Sequence, residues 1–239
     1  MTLILKSCKI LEENLKEELG NYLESGKDLP VVLLDTGAVI DLEEAVKSHV
    51  KSLKEKAETS LFLKSLKEKV PLVVTPYVHR EIIRHSRYKR NSHTPEIEPS
   101  TFEFIKGIVD ESTDFLTRAR TDVPLDDARY NVYWISKEAC KCDNSDNKND
   151  KKKQDEGFSE TDKDILTHAI RLSRSYIEFP QGTQINRKIN PVIVFSPDKH
   201  IGEGISFIYK CRSLSEQYPG IKNISTRYET KNISTGDKS

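Results

Sequence analysis

Val31-Val32-Leu33-Leu34-Asp35-Thr36-Gly37-Ala38-Val39-Ile40 decides the fold. Its first four residues are continuously apolar and partly β-branched, the pattern of a short strand buried on both faces. An acid follows at once, and a helical pattern then runs from Ala38 through Leu42, Ala45, Val46, His49, Val50 and Leu53. A second helical pattern over 61–67 leads into Val70-Pro71-Leu72-Val73-Val74, another buried-strand run. Thr75-Pro76 opens the next helix, with Thr as N-cap and Pro at the first helical position. Further helices are expected over 101–118 and 126–139, with a short strand around Arg120–Val123 between them. Another helix begins at Ser159 and carries Ile165, Leu166, Ala169, Ile170 and Leu172. Pro191–Phe195 forms a strand, and Ile221–Tyr228 supplies one more at an edge. Strands alternating with helices give an α/β sandwich around a mainly parallel sheet.

Residues 1–28 precede this body as a helical extension, with Leu11, Leu15, Leu19 and Tyr22 or Leu23 at three- and four-residue steps. Such a helix packs on the main domain or serves as an arm for a second copy or a protein partner. Residues 29–228 make one domain. Within it, 143–156 holds no apolar residue and nine charges in fourteen residues, so it has nothing to bury and is expected to be a disordered loop. Residues 229–239 form a flexible tail. The 38 basic and 38 acidic residues cancel, which excludes a grossly basic nucleic-acid coat and leaves room for a local basic face. The longest apolar runs are far too short to span a bilayer, so no membrane partner is expected. Lys6, followed by Glu12 and Glu13, argues against a secretory leader. Four cysteines are too few for a disulfide framework, and Cys140-Lys-Cys142 lacks a second ligand pair for zinc. A reducing cytoplasm fits that usage.

The carboxylates fall where an open α/β sheet binds its ligands, beyond the carboxyl ends of the strands. Asp35 ends the first strand, and Asp198 lies just past Pro191–Phe195. Glu81 stands in the early turns of the helix after Thr75, beside its inward stripe, and Asp162 flanks the apolar face of the Ser159 helix. Four acids on one edge repel one another unless a cation holds them, and all-oxygen ligands suit Mg²⁺ or Mn²⁺. Each acid also has an ordinary alternative. Asp35 caps the Ala38 helix; Asp162 completes a capping box with Ser159; Glu81 pairs with a neighbouring base; Asp198 makes a turn after Pro197. Asp164 lies about 200° around the helix from Asp162 and ranks as an auxiliary acid.

Four segments together resemble the PIN-domain nucleases: Val-Val-Leu-Leu-Asp35-Thr36-Gly-Ala, Val-Val-Thr-Pro-Tyr-Val-His-Arg-Glu81, Phe-Ser-Glu-Thr-Asp162-Lys-Asp-Ile-Leu and Val-Ile-Val-Phe-Ser196-Pro-Asp198. They occur in the family's order. The resemblance implies a three-layer α/β sandwich, with a mainly parallel central sheet flanked by helices. It implies an Mg²⁺- or Mn²⁺-dependent endoribonuclease whose cation-activated water attacks phosphorus, leaving 5′-phosphate and 3′-hydroxyl ends. Asp35, Glu81, Asp162 and Asp198 match the metal-site acids, and Thr36 and Ser196 match the small hydroxyl positions that orient them. The N-terminal helix, the polar loop and the greater length depart from the compact members.

An RNA partner needs a positive track, and Arg80, Arg84, Arg87, Tyr88, Lys89 and Arg90 cluster beside Glu81, with Tyr88 placed for stacking. A solvated helix face explains the same cluster. His168 falls one turn after Asp164 and is expected to be structural. Two rivals remain at this stage. One is a non-catalytic PIN-like RNA-binding module. The other is an aspartic protease, from Asp35-Thr36-Gly37-Ala38, although those folds are nearly all β and this chain is helix-rich.

Overall fold

A computed structural model of the protein describes residues 28–40, 70–91, 111–143, 157–177 and 186–224. Side chains are described for these residues except 85–91 and 140–143. The expected N-terminal helix, the helical patterns past residue 40, most of the 143–156 loop, residues 225–228 of the last strand and the tail lie outside them.

Strand β1 (Asp28–Leu34) is buried over its last five residues, as its unbroken apolar run requires. It pairs in parallel with β2 (Leu72–Val74) on one side. On the other side it pairs in parallel with a later strand, here numbered β5 (Arg187–Phe195). β5 divides its second edge. Residues 187–188 pair antiparallel with β4 (Ser175–Ile177), which pairs antiparallel with β3 (Ala119–Thr121). Residues 192–195 pair in parallel with β6 (Ile221–Ile224). The protein is therefore α/β, and its described residues form one mixed six-stranded sheet.

The helices are α1 (Pro76–Asn91), α2 (Leu125–Asp143), α3 (Glu160–Ser173), α4 (Lys199–Lys210) and α5 (Arg212–Gln217), with further helical residues at 36–40 and 111–118. α3 is the central one: it packs on β5 and also meets α1, α2 and α4. Its Ile165, Leu166, Ala169 and Ile170 are fully buried, which is the apolar stripe the sequence shows. α4 buries Ile201, Gly204, Ile205 and Ile208 and packs against α2, α3 and β6. No described helix is long and apolar enough to cross a membrane.

Several elements differ from the sequence expectation, among them β3, which spans Ala119–Thr121 where a strand around Arg120–Val123 is expected. β1 begins at Asp28, the last residue assigned to the helical extension, and β5 begins at Arg187 instead of Pro191. Both early halves are only partly buried and carry polar residues, so a search for continuous apolar runs misses them. β4 was not expected at all; it is three residues long with only alternate side chains buried. α2 extends to Asp143, four residues beyond the expected end.

Gly204 lets α4 approach α3. A Cβ there stands 2.9 Å from both Leu166 Cδ1 and Phe158 Cε2. Gly204→Val is expected to lower unfolding free energy by about 1–3 kcal/mol through overpacking. Gly157→Ala, whose added Cβ meets nothing within 4 Å, is expected to stay within about 0.5 kcal/mol of the parent. Urea denaturation of both variants checks this.

Candidate functional site

The register of the parallel strands sets Val74, Leu34, Phe195 and Ile224 in one row, so their following residues emerge along one edge. From β1 the chain next joins the sheet at β2, on one side. From β5 it crosses through α4 and α5 to β6, on the other. The ends of β1 and β5 thus flank a topological switch point, where open α/β sheets form a crevice. The ladder continues one residue beyond the strands: the Asp35 N–H donates to the Phe195 carbonyl at 3.1 Å, and the Ser196 N–H to the Ile224 carbonyl at 3.2 Å. Gly37 faces the turn after β5 so closely that a Cβ there falls 2.5 Å from Pro197 Cγ.

Asp35, Glu81, Asp162 and Asp198 all line one cavity of about 320 Å³ at this edge, together with Thr36, Ser159 and Thr161. Each acid is fixed by bonds that the fold itself supplies. Ser196, fully buried, donates from Oγ to Asp35 Oδ2 at 2.7 Å and accepts the Asp198 N–H at 2.9 Å. Asp198 is the N-cap of α4, its Oδ1 accepting the His200 N–H at 2.7 Å. Asp162 and Ser159 form a reciprocal capping box at the start of α3, with bonds of 2.7 and 3.1 Å. Glu81 receives one hydroxyl on each oxygen, Thr36 Oγ1 on Oε2 and Thr161 Oγ1 on Oε1, both at 2.6 Å. Asp162 and Asp198 therefore cap helices and line the cavity at the same time. A carboxylate offers about four acceptor positions, and one cap bond leaves room for a cation.

Burial sets the electrostatics. Asp35 is raised from 3.8 to about 6, first by desolvation; the Ser196 and Thr36 hydrogen bonds oppose this, and the charges of Asp162 and Asp198 add to it. Asp162 is also raised, again first by desolvation, with the Ser159 bonds and His200 pulling down and Asp198 pushing up. Mutual repulsion, the effect expected from the sequence, is the smaller contribution. Desolvated carboxylates surrounded by hydroxyl oxygens fit a hard divalent cation, whose charge offsets the cost of keeping them ionised.

Asp164 stands apart. Its Oδ2 accepts the Tyr77 N–H of α1 at 3.1 Å, and its Oδ1 lies 3.7 Å from His168 Nε2. It caps α1 from the neighbouring helix and does not line the cavity. Thr75, the expected cap of α1, is buried, and its hydroxyl has no partner among the described residues. His168 is partly buried and its pKa is lowered, first by desolvation, in keeping with a structural role. Arg80 and Arg84 are exposed on α1, and the Arg80 guanidinium lies 5.2 Å from the Tyr77 ring centroid. Arg87, Tyr88, Lys89 and Arg90 continue α1, but their side chains are outside those described.

Two neighbours of the acids had no signal in the sequence. Thr161 stands inside the segment around Asp162, but nothing in that segment signals its bond to Glu81. His200, two residues after Asp198, places a ring nitrogen near both Asp162 and Asp198. Comparisons with family models, curated proteins and solved structures returned no match.

The sign of the Asp35 shift gives a test without metal. A carboxyl that binds its proton more tightly when folded opposes folding once ionised. The penalty is absent below about pH 3.8, grows as pH rises, and is complete above about pH 6. Its full size is on the order of 3 kcal/mol. In EDTA, Asp35→Asn, which keeps an acceptor for Ser196, is expected to be more stable than the parent at pH 8 and to lose that advantage at pH 4. Urea denaturation at the two pH values checks it. A variant less stable than the parent at pH 8 contradicts it.

Proposed function

We propose that the protein is a PIN-like, Mg²⁺- or Mn²⁺-dependent endonuclease that hydrolyses RNA phosphodiester bonds. One observation carries the proposal: acids from four distant stretches of sequence line a single cavity at the switch point of the sheet. The parallel run β2-β1-β5-β6 with its helices supports the finer PIN-like arrangement, a three-layer sandwich with a mainly parallel centre.

Asp35, Glu81, Asp162 and Asp198 are the residues that would hold the cation. A divalent ion bound there supplies Lewis-acid activation of water and neutralises charge on the scissile phosphate. The remaining roles belong to the chain. Ser196 orients Asp35, and Thr36 and Thr161 hold both oxygens of Glu81, so the carboxylates keep their positions without a ligand to gather them. Tyr77 and the exposed Arg80 and Arg84 lie on the helix that carries Glu81, and they offer a stacking face and cations to an RNA strand. Cleavage in this scheme uses no protein nucleophile.

The protease rival requires a largely β fold, whereas Asp35-Thr36-Gly37-Ala38 turns directly into helical residues at 36–40. The non-catalytic module is the stronger alternative, and activity distinguishes it. Purified full-length protein with Mg²⁺ or Mn²⁺ is expected to cut single-stranded RNA, leaving 5′-phosphate and 3′-hydroxyl ends. Asp35→Asn, Glu81→Gln, Asp162→Asn and Asp198→Asn should each abolish cutting, and Thr161→Val should lower it by about 10–100-fold. A 2′,3′-cyclic phosphate product, or cleavage that survives Asp35→Asn, overturns the proposal. Metal-dependent RNA binding without cleavage favours the binding module.

A further inference from the structure

We infer that His200 is a nitrogen ligand of the cation held by Asp162 and Asp198, and that it biases the cavity toward Mn²⁺ and related first-row transition ions over Mg²⁺. This rests on reading the cavity as a divalent-cation site, and it adds to that reading the class of ion preferred.

Three observations meet at this residue. First, Asp162, Asp198 and His200 each offer a ligand atom, and these atoms lie within 4.8 Å of one another. Second, the imidazole is not committed to Asp198. His200 Nδ1 stands 3.7 Å from Asp198 Oδ1, beyond hydrogen-bond length, and it is the His200 backbone N–H that caps the carboxylate, at 2.7 Å. That backbone bond holds the residue beside the site whatever its ring does. Third, the ring is braced on one side. It lies 5.7 Å, centroid to centroid, from Phe158, a buried residue immediately before the Ser159 cap of α3. About one third of the His200 side chain is exposed, so the imidazole can rotate toward a shared ion without unpacking the core.

The chemistry follows from the donor set. Mg²⁺ takes oxygen ligands, keeps much of its water and gains little from an imidazole. Among the first-row divalent ions the gain from a nitrogen ligand is smallest for Mn²⁺ and rises toward the later ions, yet Mn²⁺ still exchanges water for imidazole more readily than the smaller, harder Mg²⁺ does. Asp35 and Glu81 provide oxygen donors for either kind of ion. An added nitrogen on the Asp162–Asp198 side therefore separates the two classes of ion.

Pulsed electron paramagnetic resonance on the full-length protein with Mn²⁺ alone tests this directly, because a coordinated imidazole adds a ¹⁴N coupling to the manganese signal. The parent is expected to bind Mn²⁺ and show that coupling. His200→Gln should keep Mn²⁺ binding but lose the coupling, with Kd for Mn²⁺ weakened by about tenfold and Kd for Mg²⁺ changed by less than about twofold. His200→Asn, with its shorter side chain, should behave the same way. Bound Mn²⁺ without ¹⁴N coupling in the parent overturns this inference and leaves the nuclease proposal intact. Coupling that persists in both variants also overturns it, since the nitrogen then comes from another residue. If the parent binds neither Mn²⁺ nor Mg²⁺, both the inference and the proposed function fall.

Discussion

The parallel pairing of β1 with β5 runs in register from Val31 opposite Val192 to Leu34 opposite Phe195. It continues one residue further, through the bond from the Asp35 N–H to the Phe195 carbonyl. That extension fixes Asp35 beside Ser196, and Ser196 in turn holds the Asp198 backbone. Two strand ends, one helix N-cap and the first helical residues after β1 are thereby locked together by main-chain geometry and one buried hydroxyl. α3 and α1 then bring in Asp162 and Glu81, and Thr161 ties the second helix to the first. Had the register slipped by one residue, Asp35 would point to the other face of the sheet and its bond from Ser196 would not form.

The same side chains serve the fold and the site. Asp162 and Asp198 cap helices, as Asp commonly does, and capping accounts for where they sit. Capping does not account for the burial of Asp35, which accepts from Ser196 in a largely desolvated position and is pushed up to about 6. A polar residue kept where its charged form is disfavoured marks a place where stability and function pull apart. Under the proposed function, a bound cation offsets that cost. A cavity lined by Asp122, Asn131, Arg174 and Tyr218 gives a contrast. There Arg174 pairs with Asp122, and Asn131 donates to the Tyr218 hydroxyl.

Much of this was legible in the sequence, because three simple signals reached it. Short apolar runs located the buried halves of β1, β2 and β5, and the strand-end rule picked out Asp35 and Asp198. Helical phase placed Glu81 and Asp162 beside inward stripes and set Asp164 apart from Asp162. It could not show that Asp164 caps α1, because that bond joins residues 87 positions apart. Thr161 and His200 were invisible for a related reason: their importance depends on neighbours brought close only by tertiary packing. Half-exposed strand segments such as 187–190 and 175–177 carry neither a continuous apolar run nor a long alternation, so only pairing reveals them.

Whether Asp35, Glu81, Asp162 and Asp198 form one cation site, as proposed, is tested most directly by proton linkage. Calorimetric titration of Mg²⁺ or Mn²⁺ at pH 6 and pH 8, each in buffers of different ionisation enthalpy, measures binding and proton release together. With Asp35 near half-protonated at pH 6, cation binding should expel protons there and release almost none at pH 8. Saturable binding with that pH dependence is the predicted result. Absence of binding at both pH values, or binding heats that are identical in every buffer at pH 6, would contradict the account.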